Sequence, residues 1–198
     1  MTMMPNREEF DAITRLDFNV FVERVFAELN GAEPYLDNWH VSFLCSELEA
    51  VRRGDTCRLA IALPPRNLKS IVTSVAYPAW LLGHDPTAKI ICASYGQQLA
   101  DDLARDCRQV MRSDWYRALF PTTRLKNDRQ SVSFFETAAG GSRQSTSVGG
   151  VLTGFGADVI IVDDNDEPLD LCQLQKFLKV GAELSNRFAR RFAILWTN

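Results

Sequence analysis

The sequence predicts an α/β fold with a mainly parallel sheet flanked by helices, and three observations carry that prediction. Apolar runs of strand length occur at residues 59–63, 89–95 and 159–162, the last a β-branched run that favours a buried strand. Residues 71–80 and 97–111 follow the first two runs with the three-and-four apolar spacing of helices. Strand and helix alternating at these lengths form βαβ units. Their crossovers are right-handed, so the loops gather at the carboxyl edge of the sheet, where ligands bind.

In chain order, residues 1 to about 15 read as loosely held. From Phe18, the positions Phe21, Val22, Val25, Phe26 and Leu29 share one helical face, which Asn30-Gly31 closes. A second helix runs from about Trp39 to Arg53, with Val41, Leu44, Cys45, Leu48 and Val51 together and Gly54 as its stop. Trp39 and His40 at its entry either pack or stack on a base. These helices make an N-terminal helical extension over residues 1–55, and the sheet belongs to residues 56–198. The helix after the first run ends at Gly83. Trp115-Tyr116 and Leu119-Phe120-Pro121 form a compact turn. Residues 131–137 alternate like an edge or hairpin strand, and Gly140-Gly141 turns the chain into residues 142–148. A glycine-rich stretch, residues 149–156, precedes the last strand as a flexible connection or as a loop facing nucleotide or DNA.

Composition narrows the function. With 198 residues, 46% hydrophobic and 24% charged, the chain has ordinary globular composition and length for one moderate domain. A net charge of −3 gives no global attraction to nucleic acid, so DNA contact would need a local patch. Arg52-Arg53, Arg105/Arg108/Arg112 and Arg187/Arg190/Arg191 are the candidates, with a solvated face as the alternative. Five scattered cysteines without a C-x-x-C pair argue against a zinc site and a disulfide framework, and suit a reducing cytosol. No signal-peptide layout and no bilayer-length apolar stretch is present, so a cytoplasmic location without membrane is expected.

The chemistry centres on Leu63-Pro64-Pro65-Arg66-Asn67-Leu68-Lys69-Ser70. A strand, a tight loop ending in Lys-Ser and a helix starting there form the layout of a phosphate-binding loop. Residues Pro65, Arg66, Asn67, Leu68, Lys69 and Ser70 would cradle the nucleotide: Lys69 reaches the β- and γ-phosphates, and the Ser70 hydroxyl ligates Mg²⁺. Leu63 and Leu68 stand where the usual pattern has glycine, and Leu68 is the departure that matters, because glycine there lets backbone approach phosphate. A solvated lysine at a helix start is the alternative reading. The second anchor is Asp163-Asp164, ending the last strand. Two adjacent carboxylates there need a cation or hydrogen bonds. Asp163 would hold the metal and Asp164 would orient or deprotonate the attacking water; a helix cap and turn is the alternative. The two anchors are 163 − 69 = 94 residues apart, room for a strand-helix unit and a hairpin.

In these residues the chain resembles the ATPase part of phage large terminase subunits. The likeness runs in unbroken order over residues 35–164, through Trp39-His40, Pro64-Pro65-Arg66 to Lys69-Ser70, and Ser74-Val75-Ala76 with Pro78 and Leu82-Gly83. It continues through Ala93-Ser94-Tyr95, Asp114-Trp115-Tyr116, Leu119-Phe120-Pro121, Ser147-Val148-Gly149-Gly150, Leu152-Thr153-Gly154 and residues 159–164. The Pro-Pro-Arg-x-x-Lys-Ser form resembles a variant known in these proteins. The resemblance implies a P-loop NTPase fold, ATP and Mg²⁺ as cofactors, and a motor that threads double-stranded DNA into a procapsid. Implied partners are a small terminase subunit, a portal protein and further copies in a ring; the setting is the bacterial host's cytoplasm. Arg66 resembles a loop arginine that senses or stabilises the γ-phosphate, so Asp164, Arg66 and Lys69 are the implied catalytic residues, and Ser70 and Asp163 the metal ligands. Phe155 departs from the pattern, standing where a basic residue is expected. After Asp164 the likeness stops: Asn165 replaces the expected proline. Members of the family carry a nuclease domain after the ATPase part, so the resemblance implies that this chain is a truncated subunit with the nuclease domain absent. Residues 192–198 are either a last strand or a rearranged end. A non-catalytic prophage remnant that keeps the fold is the alternative.

Overall fold

The computed structural model describes residues 6–31, 33–61, 63–64, 67–94, 96–147 and 156–163. Five strands form one sheet in the order β2-β3-β4-β1-β5. They are β1 (Lys89–Ser94), β2 (Leu125–Gln130), β3 (Phe134–Thr137), β4 (Ser142–Ser147) and β5 (Val159–Asp163). β1 lies between β4 and β5 and runs parallel to both. β3 is antiparallel to β4 and to β2, so β3 alone opposes the common direction. The fold is thus α/β with a mostly parallel sheet, flanked by helices. β1 and β5 read as nearly unbroken apolar runs because both of their faces are buried. Their register sets Ser94 beside Asp163, at the carboxyl ends of the strands.

The helices are α1 (Arg7–Leu16), α2 (Phe18–Asn30), α3 (Trp39–Arg53), α4 (Tyr77–His84), α5 (Gln97–Arg112) and α6 (Asp114–Leu119). A π-helical turn, Ile71–Ala76, leads directly into α4. One apolar cluster joins Phe18, Phe21 and Val25 of α2, Leu44 and Leu48 of α3, Trp80, Leu103 and Cys107 to Ile90, Cys92, Phe135 and Ile161 of the sheet. Aromatic rings bind this cluster: Trp80 lies 4.9 Å from Phe18, and Phe21 meets Tyr116 and Phe120 edge-on.

Four expectations need correction. Residues 7–16 are a helix rather than loose chain. Asn6 and Glu9 form a reciprocal capping box, each side chain accepting the other's backbone N–H at 2.9 Å. The run at residues 59–63 forms no strand among its described residues; Leu59, Ile61 and Leu63 pack part-buried against the core as irregular chain, and Ala60 is exposed. Gly83 does not stop its helix. α4 continues to His84, and a Cβ on Gly83 would lie 2.6 Å from the Phe120 ring, so the glycine permits close packing. The segment around Trp115 is a true helix, α6, capped by Ser113 accepting the Tyr116 N–H. β2 was invisible to an apolar pattern because its residues, Leu-Lys-Asn-Asp-Arg-Gln, form a polar edge strand.

Candidate functional site

The loop entering the Lys69 helix is locally strained. Leu68 has φ +59°, the positive φ of a non-glycine residue that stands alone among the described residues. A left-handed conformation costs such a residue about 1–2 kcal/mol. The backbone therefore adopts at Leu68 what glycine supplies in the usual pattern, although the side chain is leucine. Among the contacts that hold the loop, Asn67 Nδ2 donates to the Pro64 carbonyl at 2.9 Å, and the Val72 N–H donates to the Leu68 carbonyl at 2.9 Å.

From this turn Lys69 reaches the end of β5. Its Nζ lies 3.4 Å from Asp163 Oδ1, and the two side chains are 7% and 1% exposed. Ser74 Oγ donates to the other carboxylate oxygen, Oδ2, at 3.1 Å. Thr73 Oγ1 donates to the Lys69 carbonyl at 2.8 Å, tying the first turn to the second. A buried ion pair adds little net stability, yet removing one partner strands a buried charge at a cost of about 3–5 kcal/mol. Asp163 Oδ1 makes no hydrogen bond, and its ion pair is longer than the ~2.7–2.9 Å of a close charge-assisted bond. That oxygen retains capacity for a hard cation, and with nearby serine hydroxyls it offers the all-oxygen donor chemistry that Mg²⁺ takes.

Behind the pair sits Arg143 of β4, 1% exposed. Its Nη1 donates to Ser145 Oγ and its Nη2 to the Ser74 carbonyl at 2.9 Å. Cys92 and Cys107 are buried near this guanidinium. Burial pushes the Cys107 thiol up to about 12 against the opposing pull of Arg143, and raises Cys92 likewise. Both thiols stay protonated near neutral pH, which excludes nucleophilic sulfur chemistry here.

Of the sequence-derived site residues, the structure brings Lys69 and Asp163 together. Asn67 and Leu68 lie on the loop, and Ser70 is partly exposed on the turn before Ser74. Pro65, Arg66 and Asp164 lie outside the described residues, as do residues 148–155 and the tail from 164 onward. Ser74 and Arg143 were missed. The available signals were a hydroxyl one turn beyond Ser70 and a charged residue at a buried position of an alternating strand. Trp39 is 78% exposed at the entry to α3. On α5, Arg105 pairs with Asp102 and Arg108 Nη1 donates to the Ser131 carbonyl. No cluster of His, Cys, Asp and Glu that could hold a metal occurs among the described residues, and no helix there is long and apolar enough to cross a membrane.

No family model and no curated protein matches the chain. Among solved structures it is similar to the crystal structure of the large terminase of bacteriophage HK97, with a TM-score of 0.60 and 14% sequence identity. The match covers 91% of this chain and 37% of that one, so the chain spans little more than a third of that protein's length. At such identity the likeness is one of fold, and the fold of this chain is terminase-like.

Proposed function

We propose that the chain is the ATP-hydrolysing unit of a large-terminase-type motor that moves double-stranded DNA. The observation that carries this reading is the approach of Lys69 to Asp163 within 3.4 Å at the carboxyl edge of the sheet, between segments 94 residues apart. The terminase-like fold supports it. In this reading the Lys69 ammonium leaves Asp163 to neutralise the β- and γ-phosphates, while the loop from Pro65 to Leu68 would wrap the triphosphate with the backbone N–H groups of Arg66, Asn67 and Leu68 facing it. Asp163, Ser70 and Ser74 are the residues that would hold Mg²⁺. There Mg²⁺ would supply positive charge to offset the charge developing on the phosphates. Arg66 would stabilise the γ-phosphoryl charge and Asp164 would orient the attacking water, both roles resting on the terminase resemblance.

DNA would be held through its phosphate backbone, independent of sequence. Arg105, Arg108 and Arg112 on α5 are the surface that supports this. Burial and then the neighbouring Arg112 and Arg105 charges lower the Arg108 pKa, a crowding of like charges that an anion would relieve. Arg112 also lines a cavity of about 70 Å³ together with Arg117 and Arg124. Further copies in a ring, a small subunit and a portal are the partners proposed with this reading, within the host cytoplasm, and residues 1–55 serve as a helical extension of the ATPase core.

The test is ATP turnover by the full chain with and without double-stranded DNA, beside Lys69→Ala and Asp164→Ala. Turnover that DNA stimulates and that both substitutions abolish is the expected result. Nucleotide binding without turnover would replace the motor by a non-catalytic remnant, and no nucleotide binding would overturn the site.

A further inference from the structure

We propose that Arg143 is a positioning residue for the Lys69–Asp163 centre, clamping a helix carbonyl that Pro78 deprives of its usual partner. The proposal rests on the nucleotide site above. In an α-helix the Ser74 carbonyl would accept the N–H of residue 78. Residue 78 is proline, which has no N–H and whose ring crowds the carbonyl four residues back. The helix widens at this point: residues Ile71–Ala76 are π-helical, and the Tyr77 N–H reaches back five residues to the Val72 carbonyl. Such bulges arise where the regular ladder is interrupted, and they collect at functional sites.

Arg143 takes up the freed carbonyl. Its Nη2 donates to Ser74 O at 2.9 Å, its Nη1 is anchored on Ser145 Oγ of the same strand, and its guanidinium lies 5.9 Å from the Phe135 ring. It is 1% exposed and forms no ion pair among the described residues. A charge buried without a carboxylate is costly, so the few groups that accept from it fix its place. The same Ser74 extends its hydroxyl to Asp163 Oδ2 at 3.1 Å. One residue is therefore held twice, its carbonyl from β4 and its hydroxyl from β5, the two strands that flank β1. This double hold sets the rotation of the helix that starts at Lys69, and Thr73 Oγ1 passes the constraint to the Lys69 carbonyl. Arg143 acts on the centre through Ser74 and does not need to touch the nucleotide.

The experiment uses the full chain and two readouts. One is equilibrium binding of a fluorescent ATP analogue with Mg²⁺. The other is amide hydrogen exchange at Val75, Ala76, Tyr77 and Ala79 compared with α5. Arg143→Met is expected to weaken analogue binding roughly tenfold or more, the scale of one lost charged hydrogen bond. It should speed exchange at the four amides while α5 stays protected. Arg143→Lys should recover part of both, since an ammonium still offers the carbonyl a donor. Pro78→Ala in the Arg143→Met background returns an N–H to Ser74 and should restore slow exchange. Parent-like binding and exchange in Arg143→Met would overturn the clamp. So would exchange that rises equally in α5 with no recovery in Arg143→Lys. If Arg143→Met does not fold, Arg143→Lys against the parent decides by the same two readouts. A parent chain that binds no analogue removes the nucleotide reading instead, and the exchange pattern still decides the clamp.

Discussion

Two helices of this molecule pack on one another and on the sheet, and they are built on different terms. α5 is regular over its 16 residues: Ala100, Leu103, Ala104, Cys107, Val110 and Met111 are buried on one stripe, and charged residues occupy the other face. The helix from Lys69 to His84 enters through a left-handed Leu68, widens through Ile71–Ala76, carries Pro78 and Gly83, and is buried from Val72 through Gly83. The half-solvated helix obeys one periodicity because only one side of it is constrained. The enclosed helix is shaped at every residue by what it meets, and the irregular geometry collects where Lys69, Ser74 and Asp163 converge. Strain concentrated beside a candidate site, and absent from the neighbouring helix, is the pattern expected where surrounding structure holds a functional geometry in place.

Substitutions at three positions sharpen that contrast. The largest effect is expected at Gly83, where an added methyl would meet the buried Phe120 ring at 2.6 Å. Gly83→Ala should lower the unfolding free energy by about 1–3 kcal/mol in denaturant titration, the range of overpacked cores. A stabilised Gly83→Ala would show that the helix has room and that its shape is not imposed by packing.

A smaller and more diagnostic effect is expected at Leu68. Glycine adopts φ +59° without strain but loses the partly buried side chain and adds freedom to the unfolded chain, so Leu68→Gly should stay within about 1 kcal/mol of the parent. A β-branched residue there is a genuine outlier, so Leu68→Val should cost at least about 1 kcal/mol more than Leu68→Gly. Equal stabilities for the two variants would mean that the left-handed turn is not retained.

The smallest effect concerns pH. His84 Nε2 donates to the Arg15 carbonyl at 2.9 Å, and Trp80 Nε1 donates to the same carbonyl at 3.1 Å. Burial, then the Arg52 charge, holds the His84 pKa below its ordinary 6.5. Well above pH 6.5 the imidazole is neutral whether the chain is folded or not. As pH falls below 6.5 the unfolded chain takes up the proton first, so stability is lost until the folded value is passed. His84→Gln should flatten that part of a pH series of unfolding free energies, and an unchanged slope would contradict the assignment.

Much of this architecture was legible in the sequence, for reasons that differ by element. α2, α3 and α5 announced themselves because each buries a single stripe. β1 and β5 did so as apolar runs enclosed on both faces. α1 buries little, since Phe10, Ile13 and Leu16 are exposed although they fall at helical spacing, and its sharpest sequence signal is the Asn6–Glu9 cap. The run at residues 59–63 misled because a strand is defined by its ladder partner, which composition does not reveal. At the site, the sequence supplied Lys69 and Asp163 separately. Their approach, the part played by Ser74 and the buried Arg143 depend on how β4, β5 and the Lys69 helix pack, and no local pattern carries that.

The most direct measurement is a crystal structure of the full chain with Mg²⁺ and a non-hydrolysable ATP analogue. The expected result places the analogue's β- and γ-phosphates on Lys69, with the 3.4 Å contact to Asp163 opened and the cation on the Asp163 side. An analogue bound elsewhere, with Lys69 still paired to Asp163, would contradict the nucleotide site and the motor reading built on it.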